Sequence, residues 1–298
     1  MLPQELIEMI IDEVDSLDDG VDSLSAEEDR RAALSCCSIV SRNWLCRARY
    51  LLFKSIDICE HVQDGRRLSP PASPGESKVH LFLQLLKSSP NIATCIQSLS
   101  IRGAPSKKSF TRLMLRSGNL PVLEISNLSQ YLACLPNLSC LKLRYMFLKE
   151  YDTIPIMCYP AHSLKTLNLA DLQDQHGFWE MRTRAILDLF GLFTTIESLV
   201  LGGVYESFIV VDGMAGLKQK VNIAHIKVVT GRSYNRVGLL FDRVASCQKV
   251  THYELFLSGS SWLYDYDGIA HIIRRASEGQ LRVLEFNLCR FESWNDNG

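Results

Sequence analysis

The sequence lacks the motifs that identify the common classes of enzyme. It contains no Gly-x-Ser-x-Gly, no phosphate-binding glycine loop and no His-Glu-x-x-His. The seven histidines are scattered, and no two of them have i,i+4 spacing. We therefore expect no catalytic residue, no metal ligand and no cofactor, and we predict that the protein is not an enzyme. An alternative to this prediction is an α/β enzyme whose catalytic site these motifs do not reveal.

The sequence also lacks a large net charge and any long apolar run. Its 32 Lys and Arg residues nearly balance its 33 Asp and Glu residues, so no general attraction to nucleic acid is predicted. No uncharged apolar stretch reaches the roughly eighteen residues that a membrane span needs. Acidic residues at Glu5, Glu8 and Asp12 interrupt the apolar run that a secretory signal would require. We expect neither a nucleic-acid nor a membrane partner.

The ten cysteines lack the spacing of a metal or redox site. None belongs to a Cys-x-x-Cys pair, and none forms a cluster with zinc spacing. Because no secretory signal is recognised, they are interpreted as reduced, small apolar residues. The expected location is therefore cytoplasmic and/or nuclear.

What the sequence does contain begins with a helical segment at residues 1–52. Apolar residues at 3/4 spacing predict an amphipathic helix after Pro3, and a second and a third helix are predicted from about Ser25 and about Ser41. About fifty residues of helix bury too little apolar surface to be stable alone. We therefore expect this head to borrow the surface of a partner.

Charge is divided sharply within this segment. Residues 1–29 contain eleven acidic and no basic residues, whereas residues 30–54 contain six basic and no acidic residues. The favoured interpretation is that the two sets pair within one folded unit. An ionic docking surface for a partner remains the alternative.

Residues 62–78 are rich in Pro, Ser and Gly, which predicts a mobile loop. The alternative is a regulatory segment that is phosphorylated at Ser69 or Ser73, each of which precedes a proline. If this loop is the only connection between a docking head and the rest, cleavage within it should release the head.

From residue 96 onward the pattern apolar-x-x-apolar-x-apolar recurs, with starts separated by 42, 26, 32, 27, 27 and 31 residues. Helical stretches precede most of the repeats, for example Val79–Leu86 and Arg184–Phe193. A strand, a turn and a helix repeated at this spacing are typical of leucine-rich repeats, in which each unit buries its apolar face against its neighbours. The pattern recurs at these positions: Ile96/Leu99/Ile101, Leu138/Leu141/Leu143, Leu164/Leu167/Leu169, Ile196/Leu199/Leu201, Ile223/Ile226/Val228, Val250/Tyr253/Leu255 and Leu281/Leu284/Phe286, with Phe53/Ile56/Ile58 before them.

The opening Leu2-Pro3-x-Glu5-Leu6 and the later Val40-Ser41-Arg42-x-Trp44 together resemble an F-box. With the repeats that follow, the chain is similar to the F-box proteins with leucine-rich repeats that are abundant in fungi. The resemblance implies an α/β fold: a short three-helix F-box-like head, followed by an irregular leucine-rich-repeat solenoid with a parallel sheet over residues 53–298. Irregularity is expected because the Asn or Cys that usually follows each repeat strand is present only as Cys289.

The same resemblance implies a function in the ubiquitin pathway. The head would dock on the Skp-type linker of an SCF-type cullin–RING ubiquitin ligase, and the array would hold a protein client. The residues that the motif assigns to the linker are Leu2, Pro3, Leu6, Ile10, Val40 and Trp44. Aromatic residues in long loops are the candidates for the client, because such residues dominate interface energetics; they are Tyr151, Trp179, Trp262 and Tyr264.

The second alternative is a leucine-rich scaffold without a ubiquitin-ligase link. In that case the head only covers the open N-terminal end of the array, because terminal repeats need such a cap. The chain ends at Gly298 without an evident polar closing unit. We therefore expect an open last strand, a partner or self-contact that covers it, or a truncated gene sequence.

Overall fold

The computed structural model describes residues 3–16, 24–60, 77–104, 122–149, 162–174, 184–202, 220–229, 240, 243–246, 249–258, 270, 273–274 and 281–289. These residues form seven helices and nine strands. No helix among them is long and apolar enough to cross a lipid bilayer.

The first three helices follow one another with short connections and pack together. They are α1 (Gln4–Ser16), α2 (Leu24–Val40) and α3 (Arg42–Lys54). Each contributes apolar residues to one small buried cluster, separate from the main core, because each helix carries apolar residues at 3/4 spacing on one side. The cluster consists of Ile7, Ile11, Leu34, Ala48 and Leu51.

Ion pairs across this cluster account for part of the charge division in the sequence. The Arg47 guanidinium donates two hydrogen bonds to the Asp12 carboxylate, at 2.7 and 2.8 Å. Arg30 also forms an ion pair with Asp15. These acidic residues lie on α1 and the basic ones on α2 and α3, so these two pairs agree with the favoured interpretation.

The rest of the described chain is a mixed α/β structure with a nine-stranded parallel sheet. All neighbouring strands run parallel, in the order β1-β2-β4-β5-β6-β7-β8-β9, with β3 beside the end of β4. The parallel sheet predicted from the sequence is therefore confirmed. The strands are β1 (Ser55–Cys59), β2 (Ser98–Arg102), β3 (Val122–Glu124), β4 (Cys140–Lys149), β5 (His162–Asp174), β6 (Phe193–Gly202), β7 (Asn222–Val229), β8 (His252–Ser258) and β9 (Val283–Cys289).

The recurrent apolar positions of the sequence are in register across the sheet. Two rows of apolar side chains run from β1 to β9 on the face that points into the core. A slip of one residue would turn a whole row towards the other face, so burial fixes the register. The first row is Ile56, Leu99, Leu141, Leu167, Leu199, Ile226, Tyr253 and Leu284; the second is Ile58, Ile101, Leu143, Leu169, Leu201, Val228, Leu255 and Phe286.

Helices cover this apolar face. They are α4 (Lys78–Ser88), α5 (Pro90–Ala93), α6 (Ile125–Cys134) and α7 (Arg184–Phe190). They share one core with both rows, except for Phe286 of β9, which is 43% exposed. The predicted helix 184–193 ends earlier, because Gly191 and Leu192 form a turn and Phe193 begins β6.

The position at which a regular repeat would carry Asn or Cys is apolar and buried in three cases. Ala104, Met146 and Leu172 expose 0, 2 and 1% of their surface. Packing therefore replaces hydrogen bonding at these three positions.

The loop predicted at 62–78 does not separate the first three helices from the sheet. Helix α3 ends at Lys54 and β1 begins at Ser55, so the helices lead directly into the sheet. Strand β1 pairs with β2 over its whole length. After cleavage within this loop the helices would still be attached to the sheet through β1, so we expect that such cleavage does not release the head. Residues 61–76 lie outside the described part, and Ser77 and Lys78 begin α4 as its cap and first residue.

Candidate interaction surfaces

The first candidate surface consists of large apolar side chains that the first three helices leave exposed. Helix α1 turns Ile7 and Ile11 into the small cluster, so residues at other positions of the same helix point away from it. We call this set the helical apolar surface; its members and exposed fractions are Leu6 (44%), Met9 (65%), Ile10 (42%), Ile39 (82%) and Val40 (62%).

The residues that the motif assigns to the linker fall into four groups. Leu6, Ile10 and Val40 belong to the helical apolar surface. Pro3 is exposed, and its carbonyl accepts the N–H of Ile7 at 3.2 Å, which begins α1. Trp44 is half-buried and packs against the small cluster, whereas Leu2 lies outside the described residues.

Two members of this surface were not identified from the sequence. Met9 follows Leu6 by three residues and therefore lies on the same side of α1. Ile39 is the most exposed large apolar residue of the set, at 82%, and precedes Val40 at the end of α2. The helical spacing indicates the first, but no sequence signal separates an exposed Ile39 from a buried one.

The second candidate surface is the face of the sheet opposite the core. Its residues alternate with the two buried rows, and none of them is fully buried. We call it the open face. It consists of three rows in register: Ser55, Ser98, Cys140, Thr166, Ser198, His225, His252 and Val283; Asp57, Ser100, Lys142, Asn168, Val200, Lys227, Glu254 and Glu285; and Cys59, Arg102, Arg144, Ala170, Gly202, Val229, Phe256 and Asn287.

Charged groups at the β7–β9 end of the open face satisfy one another. The Lys227 ammonium lies 3.1 Å from the Glu254 carboxylate and 4.5 Å from the centre of the Phe256 ring. The Asn287 amide donates to the same carboxylate at 2.9 Å. These contacts leave Lys227 largely compensated within its own sheet.

Two histidines lie beside this network. The rings of His225 and His252 are 5.6 Å apart, and His252 Nε2 is 4.0 Å from Glu285. Even so, no group of three or more His, Cys, Asp or Glu side chains able to hold a metal occurs among the described residues. The arrangement therefore gives no metal centre in that part of the chain.

At the β2–β4 end of the open face, only some of the charged groups are paired. Arg102 forms an ion pair with Asp57 of the neighbouring strand β1. Lys142 and Arg144 lie half-buried on β4, and within the part of the chain that the structure describes neither side chain has an ion pair or a hydrogen bond. Arg144 Nε is itself buried without a hydrogen-bond partner. This end of the open face therefore carries an uncompensated positive charge.

A cavity of about 250 Å³ lies where β1, β2, β3 and β4 end and α4 and α6 begin. Several of its polar groups are engaged already: Glu60 accepts the Val79 N–H at 3.1 Å, and Glu124 pairs with Lys149 at 3.1 Å. Tyr131 donates to the carbonyl of Val79. These contacts make the cavity a part of the packing between helices and sheet.

The four aromatic residues predicted to contact a client lie outside the described residues; they are Tyr151, Trp179, Trp262 and Tyr264. The open face was not among the surfaces proposed from the sequence. Its residues alternate with the apolar pattern, which is a signal that could have identified them. The pairing of strands, however, is needed to bring Arg102 beside Arg144.

No protein-family model matches the chain, and no curated protein matches it either.

Proposed function

We propose that this protein is a substrate-receptor adaptor of an SCF-type cullin–RING ubiquitin ligase. The observation that supports this most is the helical apolar surface. Leu6, Ile10 and Val40, three of the residues that the F-box resemblance assigns to the linker, are exposed and apolar. Exposed apolar residues concentrated on one small helical unit are typical of a docking surface.

We propose further that the helices are an F-box-like head and that the sheet with its covering helices is an irregular leucine-rich-repeat solenoid. Parallel strands in register, two buried apolar rows and helices on one face are the features expected of such an array. The open face would then present the client.

In this proposal the protein makes and breaks no covalent bond. It holds the linker through the head and the client through the array, so that the client meets the ubiquitin-charged enzyme at a high effective concentration. The direct passage from α3 into β1 supports this role, because a short connection keeps the two surfaces at a fixed separation.

Capture of a purified Skp-type linker by the full chain tests the proposal. The double variant Leu6→Ser with Val40→Ser should bind about a hundredfold more weakly or worse, because each buried aliphatic side chain contributes about 1.5–3 kcal/mol. Both residues are exposed, so their replacement should leave the fold intact. Leu81→Ser with Leu85→Ser is the matched control, since these leucines of α4 are similarly exposed, at 52 and 41%. Equal capture by the two double variants would contradict the proposal.

The second candidate is a leucine-rich scaffold whose helices cap the array. Contacts at the junction favour it: the Gln97 side chain donates to the Tyr50 hydroxyl at 2.7 Å, and the Gln97 N–H donates to the Lys54 carbonyl at 2.9 Å. Failure of the folded wild-type chain to capture any Skp-type linker at micromolar concentration would favour this candidate over the adaptor.

A further inference from the structure

We propose that the open face between β2 and β6 binds an acidic segment of a protein client, with Arg144 holding a carboxylate. This inference rests on the proposed function, because it names the class of client for the surface that the array would present. Three observations support it: the positive charge of β4, the burial of Arg144 Nε, and the small side chains beside Arg144 on the next two strands.

The charge at this place is positive and concentrated. Lys142 and Arg144 are two residues apart on β4, so both project from the same face about 6.6 Å from each other. Arg102 is in register with Arg144 on the neighbouring strand, at the strand spacing of about 4.8 Å. Among these three cations, the described residues provide one carboxylate partner, Asp57, which pairs with Arg102. The other two are therefore available to pair with an acidic ligand.

The burial of Arg144 also favours an anionic ligand. Arg144 Nε is buried and has no hydrogen-bond partner among the described residues. A desolvated donor without an acceptor is costly, and a guanidinium is always protonated, so the cost is not relieved by titration. A carboxylate that accepts two parallel N–H bonds matches the planar fork of arginine.

The side chains beside Arg144 on the next two strands are small. The positions in register with Arg144 on the next two strands are Ala170 and Gly202, which carry one carbon atom and none. A Cβ added to Gly202 would lie 3.4 Å from the Ala170 Cβ, so these two positions are close neighbours on the open face. Asn168 and Thr166 continue the polar floor towards the other end of β5. An extended backbone can therefore approach the sheet here.

The extent of the charge favours a peptide over a nucleic acid. Towards β8 and β9 the open face carries Glu254 and Glu285, and Lys227 is compensated by Glu254. A polyphosphate chain that continued along the face would meet these carboxylates. A short run of Glu or Asp residues needs only Lys142 and Arg144, the two cations at the β2–β4 end that are not paired among the described residues.

Fluorescence anisotropy with the full chain tests the inference. The probe is a labelled synthetic peptide of Glu and Ser residues, and its counterpart carries Gln in place of Glu. The Glu peptide should bind at least about tenfold more tightly, with affinity that falls as salt is raised. Arg144→Gln should weaken binding about tenfold to hundredfold, and Arg144→Lys should restore part of the loss, because the charge returns without the two-pronged geometry.

Lys227→Gln is the matched control. Lys227 occupies the same row of the open face as Lys142, three strands away, but it is already paired. The inference predicts that Lys142→Gln weakens binding of the Glu peptide and that Lys227→Gln leaves it within about twofold. Equal effects of the two variants would overturn it, since they would indicate attraction to general charge.

Further probes distinguish the source of the anion. A phosphoserine peptide that binds more tightly than the Glu peptide, and is lost in Arg144→Gln, supports the same site with phosphate as its anion. Binding of inorganic phosphate without binding of either peptide overturns the inference, as does a single-stranded oligonucleotide that displaces the Glu peptide. If Arg144→Gln fails to fold, thermal unfolding of the wild-type chain decides: the Glu peptide should raise its Tm and the Gln peptide should not.

Failure of this inference and failure of the proposed function have different signatures. Arg144→Gln should capture the Skp-type linker like the wild type, because Arg144 lies on the sheet and not on the first three helices. Peptide binding without linker capture would remove the adaptor function and leave the acidic-peptide site. Linker capture without peptide binding would support the adaptor function and overturn the acidic-peptide site.

Discussion

Tyr145 of β4 and Asp171 of β5 occupy the same position in the register of their strands, and both have a left-handed backbone, with φ of 57° and 49°. Arg144 pairs with Ala170 before them, and Met146 pairs with Leu172 after them. In each strand the left-handed residue and the one after it are both buried, so the alternation of inward and outward residues shifts by one. Both strands therefore bend at the same level, just after the proposed Arg144 site.

Replacement of Asp171 should reveal the strain at this bend. Asp and Asn tolerate the left-handed region, whereas a β-branched residue does not. We expect Asp171→Val to unfold with a free energy about 1–2 kcal/mol lower than that of Asp171→Asn, as measured by urea denaturation followed by circular dichroism. Equal stability of the two variants would show that the backbone at this position is free to change conformation.

Tyr131 ties α6 to α4 through both its ring and its hydroxyl. The ring stacks on Phe82 with centroids 6.1 Å apart, and the hydroxyl donates to the carbonyl of Val79. Burial raises the pKa of Tyr131, so the phenol stays a donor at neutral pH. Tyr131→Phe should lower the free energy of unfolding by about 1 kcal/mol, because it removes only the hydrogen bond.

Tyr131→Ala provides the comparison for this prediction. It removes the ring as well and should cost about 3–5 kcal/mol. Denaturation midpoints at constant m-value measure both changes. A loss in Tyr131→Phe as large as that in Tyr131→Ala would mean that the hydroxyl, and not the packing, holds the two helices together.

His162 should make stability depend on pH. Burial lowers the pKa of His162 from its ordinary 6.5, and its Nε2 has no hydrogen-bond partner among the described residues. As pH falls through the ordinary value, the unfolded chain takes up a proton that the folded chain resists, so stability is lost. Urea midpoints at about pH 7.5 and about pH 5.5 measure this loss, which His162→Gln should reduce.

His80, which is exposed on α4, provides the control for this measurement. His80→Gln should keep the pH dependence of the wild type. If His162→Gln and wild type lose the same stability over this interval, another group is responsible for the pH dependence.

The sequence by itself located eight of the nine strands, all but β3, and its resemblance to leucine-rich repeats implied that they run parallel. The pattern that contains Leu141 and Leu143 recurs at regular spacing, and each such unit can bury its apolar residues only against the next one. It also determined the apolar sides of α1 and α3, because 3/4 spacing is a local property. The division of charge between residues 1–29 and 30–54 predicted that opposite charges pair within this segment, but it did not predict the particular pair Arg47–Asp12.

Only the tertiary structure decided which surfaces remain available to partners. Ile7 and Ile10 are equally apolar and lie on one helix, yet one is buried and the other exposed, because packing against α2 and α3 covers only part of the apolar side. Likewise, Lys142 and Lys227 share a row of the open face, but among the described residues only Lys227 is paired with a carboxylate of the adjacent strand. Whether a charge is compensated depends on its neighbours across the sheet, which are far apart in the sequence.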